Sequence, residues 1–317
     1  MLFIVLIIIL ISLCLLLALV SYIAVVIVFE KTVKRSKKFP PSRIIFGDAY
    51  IFYKDIIAKN NAEVMKLSVK RHTIKSIENL NLAGYQIINP KNNKDRPQIL
   101  LFVHGWRSSG LNDLSFIGNF YYKFNFDVFT YDQVGCGESE GKYTGYGITN
   151  FLNIALWVKK INELYNHNCD IVIHGFSAGA TAALLVSSQK LENVISIVAD
   201  SGFTSAYDEM VFTAKRYHVP KYLLKIYAHM VKRKCKYSLD YINTKDVVAD
   251  SIYPILYIHG RKDTLVPFEM AEENYKLTTS DKQLLVTETI THATSYFADS
   301  IGYEQTVLTF IHKYQHH

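Results

Sequence analysis

Cysteine is scarce in this 317-residue chain, and the four present (Cys14, Cys136, Cys169 and Cys235) are widely spaced with no CxxC pair. That excludes a disulfide scaffold and suggests no zinc site. Charge is sparse too. Only 20% of residues are Asp, Glu, Lys or Arg while 50% are apolar, which excludes disordered and fibrous classes. No internal repeat and no low-complexity block follows residue 43. The formal charge of +7 is concentrated in residues 30–43, where Lys31, Lys34, Arg35, Lys37, Lys38 and Arg43 face only Glu30, a local net of +5. Residues 44–317 therefore share only +2, and a nucleic-acid partner is not expected. The length suits one large α/β domain, on a soft prior of about 150 residues per domain.

Residues 1–29 carry no charged side chain at all. At about 1.5 Å per helical residue, this run crosses a hydrocarbon core of roughly 30 Å with length to spare. A cleaved signal peptide is disfavoured, because the basic start, the shorter apolar stretch and the small-x-small exit are missing. The Ile-Ser-Leu-Cys context of Cys14 lacks the small residue that a lipoprotein site places before its cysteine. The expected organisation is a transmembrane anchor over 1–29, a basic juxtamembrane linker over 30–43 ending at Pro40-Pro41, and a folded domain over 44–317. Lys and Arg lie only after the span, so a single-pass cell-membrane protein with its domain on the cytoplasmic side is expected. There the thiols of Cys136, Cys169 and Cys235 would stay reduced.

Beyond the boundary, short β-rich runs alternate with helix-compatible stretches, the pattern of a mostly parallel sheet covered on both faces. Residues 98–104, 126–132, 169–175, 194–200, 253–260 and 283–289 read as buried strands, being continuous apolar runs. Residues 148–164, 178–188, 270–277 and 304–312 read as the covering helices.

The most informative segment is Ile171-Val172-Ile173-His174-Gly175-Phe176-Ser177-Ala178-Gly179-Ala180. A strand runs into Gly-x-Ser-x-Gly and a small-residue helix start follows at once, the context in which a serine is displayed on a tight turn. Such a nucleophile needs a base, an orienting acid and an oxyanion hole. Asp263 falls in the turn after one late strand and His292 in the loop after the last, so the chain order is serine, acid, histidine. Asp200 also ends a strand and is the rival acid, but the Gly-x-x-Asp turn before Val266-Pro267 favours Asp263 and leaves Asp200 as a structural or pocket-rim carboxylate. His174 and His259 sit at strand ends and read as packed histidines. The loop His104-Gly105-Trp106 follows the first strong central strand, so the backbone N–H groups of Trp106 and Ala178 are the oxyanion donors expected. The Trp106 indole either walls an acyl pocket or packs outward on the loop 107–110.

From about residue 70 onward the chain resembles the α/β-hydrolase superfamily. In particular it is similar to the serine-aminopeptidase-like hydrolases and the membrane-anchored Gram-positive members among them. The blocks that carry the resemblance are His104-Gly105-Trp106, Tyr131-Asp132 through Gly141, Gly175-Phe176-Ser177-Ala178-Gly179, Asp200 through Ser205, Ile258-His259-Gly260-Arg261-Lys262-Asp263 through Phe268, and His292 through Tyr296. Val134 and Cys136 stand where such proteins commonly have Arg and His, and Phe176 where a polar residue or His is frequent. These departures bear on substrate preference more than on catalysis.

Residues 205–250 form a cap-length insertion with nine Lys or Arg and five Asp or Glu. It reads as a helical cap with a core face and a solvated basic face, or as a lid that touches anionic headgroups near the anchor. The expectation is an α/β-hydrolase domain with a helical cap and one N-terminal transmembrane helix, acting as a serine hydrolase on a carboxylic ester or related acyl bond. Its expected partners are a small-molecule or lipid-like acyl substrate and a membrane; no metal and no organic cofactor is called for. Three alternatives stay open: a serine aminopeptidase-type peptidase, an inactive scaffold that binds a ligand or partner, and a membrane adaptor. No acidic cluster suited to a substrate amino terminus stands out.

Overall fold

A computed structural model describes residues 2–35, 50–93, 95–117, 119–146, 148–149, 151–289 and 291–316. Residues 36–43 of the expected linker, with its Pro40-Pro41 boundary, lie outside the described residues. The strands β1 (Val69–Lys75), β2 (Asn81–Ile87), β3 (Gln98–Val103), β4 (Asp127–Tyr131), β5 (Asp170–Phe176), β6 (Val194–Asp200), β7 (Ile255–Gly260) and β8 (Lys282–Thr287) form a single sheet. Its order is β1-β2-β4-β3-β5-β6-β7-β8. The β1/β2 and β2/β4 pairs are antiparallel, and from β4 through β8 every pair is parallel.

The central strands read as unbroken apolar runs because both faces are covered. Ile99, Leu101 and Val103 of β3 enter one core with α5 (Phe151–Leu164) and α6 (Ala178–Leu185). Leu100 and Phe102 enter the opposite core with α3 (Gly110–Leu114), α4 (Phe120–Lys123) and the last helix of the chain, Ser300–His312. The period-2 alternation of strand side chains thus divides one run between two cores.

Three elements escape a reading based on apolar runs. Strand β1, Val-Lys-Arg-His-Thr-Ile-Lys, is an edge strand with its charged side chains exposed. It turns into β2 through a loop where Ser76 Oγ accepts from Glu78 N at 3.1 Å and Leu80 N at 3.0 Å. Helix α2 (Tyr50–Val64) covers the second core with Val64 and Ile57, and Tyr53 stacks on Phe297 at 5.2 Å.

Between β6 and β7 the chain makes α7 (Ala206–Arg216), α8 (Lys221–Cys235) and α9 (Lys245–Val248). Ser205 caps α7 by accepting from Asp208 N. Val248 of α9 joins the first core, so the raised part of the insertion is α7 and α8. After β7 come α10 (Phe268–Leu277), α11 (Ser295–Ala298) and α12 (Ser300–His312).

Helix α1 (Leu2–Thr32) is long and apolar enough to cross a membrane. It runs past residue 29 into the stretch expected to be a linker, because that stretch is docked on the domain. Val25, Phe29 and Val33 are buried in a third core with Tyr146, Ala178, Tyr227, Met230 and Val231. Phe29 meets Tyr143 edge-on at 5.7 Å, and Thr32 Oγ1 hydrogen-bonds Tyr227 Oη at 2.6 Å. Arg35 donates to the carbonyls of Ser139 and Gly137. A fully buried Phe replaced by Ala typically costs about 3 to 5 kcal/mol. Phe29→Ala is therefore expected to lower the melting temperature in detergent micelles by several degrees. Leu10→Ala, at an exposed position of the same helix, leaves it in place.

Candidate active site

The turn that carries Ser177 is forced by its neighbours. Strand β5 ends at Phe176 and α6 begins at Ala178, leaving Ser177 at φ 54°, ψ −119°, a conformation that L-residues rarely adopt. The surrounding structure holds it there: Ser177 N donates to Asp200 O at 2.8 Å. The flanking glycines are steric requirements. A Cβ at Gly175 would lie 2.3 Å from Gly179 O, and one at Gly179 would lie 2.0 Å from Val103 O. Helix α6 can thus press its first turn against β3, which places the positive end of its dipole behind Ser177.

The structure brings Ser177, His292 and Asp263 together. His292 Nε2 is 2.8 Å from Ser177 Oγ, and His292 Nδ1 is 2.7 Å from Asp263 Oδ2. Both ring nitrogens are then satisfied if Nδ1 carries the proton and Nε2 accepts from the serine hydroxyl. Asp263 Oδ1 accepts from Leu265 N at 2.9 Å and Val266 N at 3.0 Å, so the carboxylate is fixed in the turn after β7. Burial works against the charged form of both groups. For His292, the Asp263 charge and hydrogen bond outweigh burial and raise its pKa above the ordinary 6.5. For Asp263, His292 and His259 outweigh burial and hold the carboxyl well below the usual range.

The loop after β3 closes the other side. Gly105, Trp106, Asp113, Phe116, Phe176, Ser177, Leu265, His292 and Ala293 line a largely apolar cleft. Ala178 is the first residue of α6, so its N–H has no acceptor within the helix. Trp106 is half-buried; its indole stacks on Tyr146 at 6.0 Å and donates through Nε1 to Thr32 O at 3.0 Å. Trp106 is among the residues that line the cleft, and its ring also lies under the Arg107 guanidinium at 5.6 Å.

Of the two readings of Asp200, the structural one holds. It is fully buried and not on a pocket rim, accepting from Ser201 Oγ at 2.8 Å and Tyr303 Oη at 2.9 Å. Burial pushes its carboxyl up to about 6 despite these donors. His174 lies in the same buried network, bonded to Tyr121 and Tyr303, and burial lowers it to about 3. His259 Nε2 donates to Val266 O at 3.0 Å and sits 3.4 Å from Asp263 Oδ2, buttressing the acid's turn. Both histidines are packed groups, as their strand-end positions imply.

Two contributors were not visible in the sequence. Buried Asp113 accepts from Gly105 N at 2.8 Å and from the Ser108 hydroxyl, which fixes the loop bearing Trp106. Thr32 and Lys31 hold the same loop from α1, through the Trp106 indole and the Arg107 guanidinium. A short polar helix after the histidine-glycine loop is the only sequence signal for Asp113. Among the described residues no group of His, Cys, Asp and Glu side chains could hold a metal ion.

No family model matches the chain. The uncharacterized protein YqkD of Bacillus subtilis is 27% identical over 220 residues, covering 68% of this chain and 72% of that protein. The uncharacterized protein YfhR of Escherichia coli K12 is 25% identical over 192 residues, 59% of this chain and 61% of YfhR. Among solved structures, the Pyrococcus furiosus esterase Pf2001 matches with a TM-score of 0.65 over 83% of this chain and 94% of its own, at 23% identity. The α/β hydrolase GrgF of a Penicillium species matches with a TM-score of 0.61 over 78% of this chain and 99% of its own, at 14% identity. The chain has the α/β-hydrolase fold. A Pyrococcus horikoshii acylaminoacyl peptidase also matches, with a TM-score of 0.60 over 80% of this chain and 43% of its own, at 13% identity. In the α/β-hydrolase fold a serine on the strand-turn-helix elbow stands above the sheet, and Ser177 occupies that turn.

Proposed function

We propose that this chain is a membrane-anchored serine hydrolase that cleaves a carboxylic ester or related acyl bond. The observation that carries the reading is the hydrogen-bonded series from Asp263 through His292 to Ser177, at 2.7 and 2.8 Å, beside an apolar cleft. Ser177 Oγ attacks the acyl carbonyl carbon while His292 Nε2 takes the hydroxyl proton. The Trp106 and Ala178 N–H groups bind the developing oxyanion. His292 then returns the proton to the leaving alcohol, and an acyl group remains esterified to Ser177. Water repeats the sequence with His292 as base and releases the acid. Asp263 stays ionised throughout and holds the imidazole in the tautomer that can accept.

A fluorophosphonate probe tests this directly, since it phosphonylates only an activated serine. The full chain in detergent is expected to take the label at Ser177; an unlabelled, folded chain would mark an inactive scaffold and end the reading. The ester class is favoured over an aminopeptidase because Asp113, the carboxylate that lines the cleft, is buried and engaged with its own loop through Gly105 N–H and the Ser108 hydroxyl.

The membrane part of the proposal rests on α1. From Phe3 to Val20 every side chain is exposed, an apolar surface that water does not accommodate and a bilayer does. The basic residues that follow the span orient the domain to the cytoplasmic side. Protease added to intact cells or right-side-out protoplasts is expected to leave the domain undigested until lysis. Digestion without lysis would reverse the orientation.

A further inference from the structure

We infer that the corner between α7 and α8 is a second membrane contact, docking on an anionic lipid surface beside α1. The inference rests on α1 spanning the bilayer, and its geometry follows from where that helix first touches the domain. At about 1.5 Å per residue, a hydrocarbon core of roughly 30 Å consumes about 20 residues. The run of wholly exposed side chains ends at Val20, and Ser21 is the first half-buried residue. Ser21 Oγ lies 3.4 Å from Tyr222 Oη, at the start of α8. Farther along, Lys234 near the end of α8 sits over the Phe29 ring at 4.9 Å. Helix α8 therefore climbs away from the bilayer alongside α1. Its first turn is its lowest point, level with the edge of the hydrocarbon.

The side chains at that corner suit the position. Tyr217 is 69% exposed, Tyr222 55% and Val219 39%, with Arg216 over the Tyr217 ring and Tyr222 reaching Ser21 of α1. Tyrosine favours the boundary where one end of the ring is apolar and the other wet. Residues 211–236 hold Lys215, Arg216, Lys221, Lys225, Lys232, Arg233, Lys234 and Lys236 and no Asp or Glu. None of these eight makes an ion pair among the described residues. Arg216 is engaged with Thr264 O, leaving Lys215, Lys221 and Lys225 as the exposed cations nearest the corner. A stretch of one charge sign that projects beside a membrane span is complementary to anionic headgroups. The contact would set the height of the cap, whose Tyr227, Met230 and Val231 pack in the same core as Ala178.

Photocrosslinking in vesicles tests the corner and the span separately. The full chain is reconstituted with p-benzoylphenylalanine at Leu10, Tyr217, Tyr222 or Tyr241, in phosphatidylcholine alone or with phosphatidylglycerol. Tyr241 is 69% exposed but belongs to a different part of the insertion. Lipid adducts are expected at Leu10 in both vesicles and at 217 and 222 mainly with phosphatidylglycerol, with none at 241. The combined change Lys215→Glu, Lys221→Glu and Lys225→Glu is expected to remove the adducts at 217 and 222 while leaving fluorophosphonate labelling of Ser177 in detergent unchanged. Adducts at Leu10 with none at 217 and 222, or equal adducts in neutral vesicles, overturn the corner contact and leave the span standing. Absence of adducts at Leu10 overturns the span and this inference with it.

Discussion

Ser177→Ala is expected to reduce turnover of short p-nitrophenyl esters by a factor on the order of 10⁶, the scale seen when a triad nucleophile is removed. The substitution deletes one oxygen and keeps Cβ, so the turn at φ 54° between β5 and α6 is as well tolerated by alanine as by serine. Among the described residues the deleted hydroxyl bonds His292 Nε2, whose ring is buried beside the cleft. The stability cost should not exceed about 1 to 3 kcal/mol, the penalty for leaving one buried ring nitrogen without its partner. Residual acceleration is expected from the oxyanion donors alone. Fluorophosphonate labelling disappears in the same variant. Turnover comparable to the parent in a folded variant would place the nucleophile elsewhere.

The sequence made the parts of the fold legible that are governed by burial on both faces. Strands β3 through β7 carry near-continuous apolar side chains because helices cover them on both sides, and the ends of β3, β5, β7 and the half-buried edge strand β8 mark the loops that bear Trp106, Ser177, Asp263 and His292. Strand β1 lies at the sheet edge, where one half-exposed ladder tolerates Lys and Arg, so its polar sequence resembles a loop. Helix α2 was obscured for a related reason: among its described residues Ile57 and Val64 enter the second core, while Phe52 and Ile56 are exposed, so its apolar residues do not trace one buried face. Apolarity also hid the double role of α1. Val25, Phe29 and Val33 recur at four-residue spacing, which is the face that meets the cap, but in a uniformly apolar helix no polar background sets that face apart. Asp113 and the Thr32–Trp106 bond depend on contacts between segments far apart in the chain, for which periodicity carries no signal.

For the acid, Asp263→Asn is expected to lower kcat about 10⁴-fold, because the amide cannot hold the His292 proton on Nδ1 and the imidazole presents the wrong tautomer to Ser177. Asp200→Asn should cost no more than about tenfold, equivalent to roughly 1.4 kcal/mol. The geometry supports the difference. Asp263 Oδ2 is bonded to His292 Nδ1 at 2.7 Å, whereas the two oxygens of Asp200 are bonded to Ser201 and Tyr303. The pH profile separates an acid that tunes the base from a residue that merely supports the fold. Burial opposes the His292 imidazolium, and the Asp263 charge is the largest influence that raises its pKa, with Asp200 and Glu209 adding less. Catalysis needs the neutral imidazole, so in the parent the rate falls as pH drops through a value above the ordinary 6.5. Removing the Asp263 charge leaves burial dominant, and the acid limb of kcat/KM is expected to move to lower pH even as the plateau collapses. In Asp200→Asn the limb should move in the same direction by a smaller amount, with the plateau nearly retained. A collapsed plateau and a large displacement in Asp200→Asn, beside a mild Asp263→Asn, would assign the acid to the end of β6 instead.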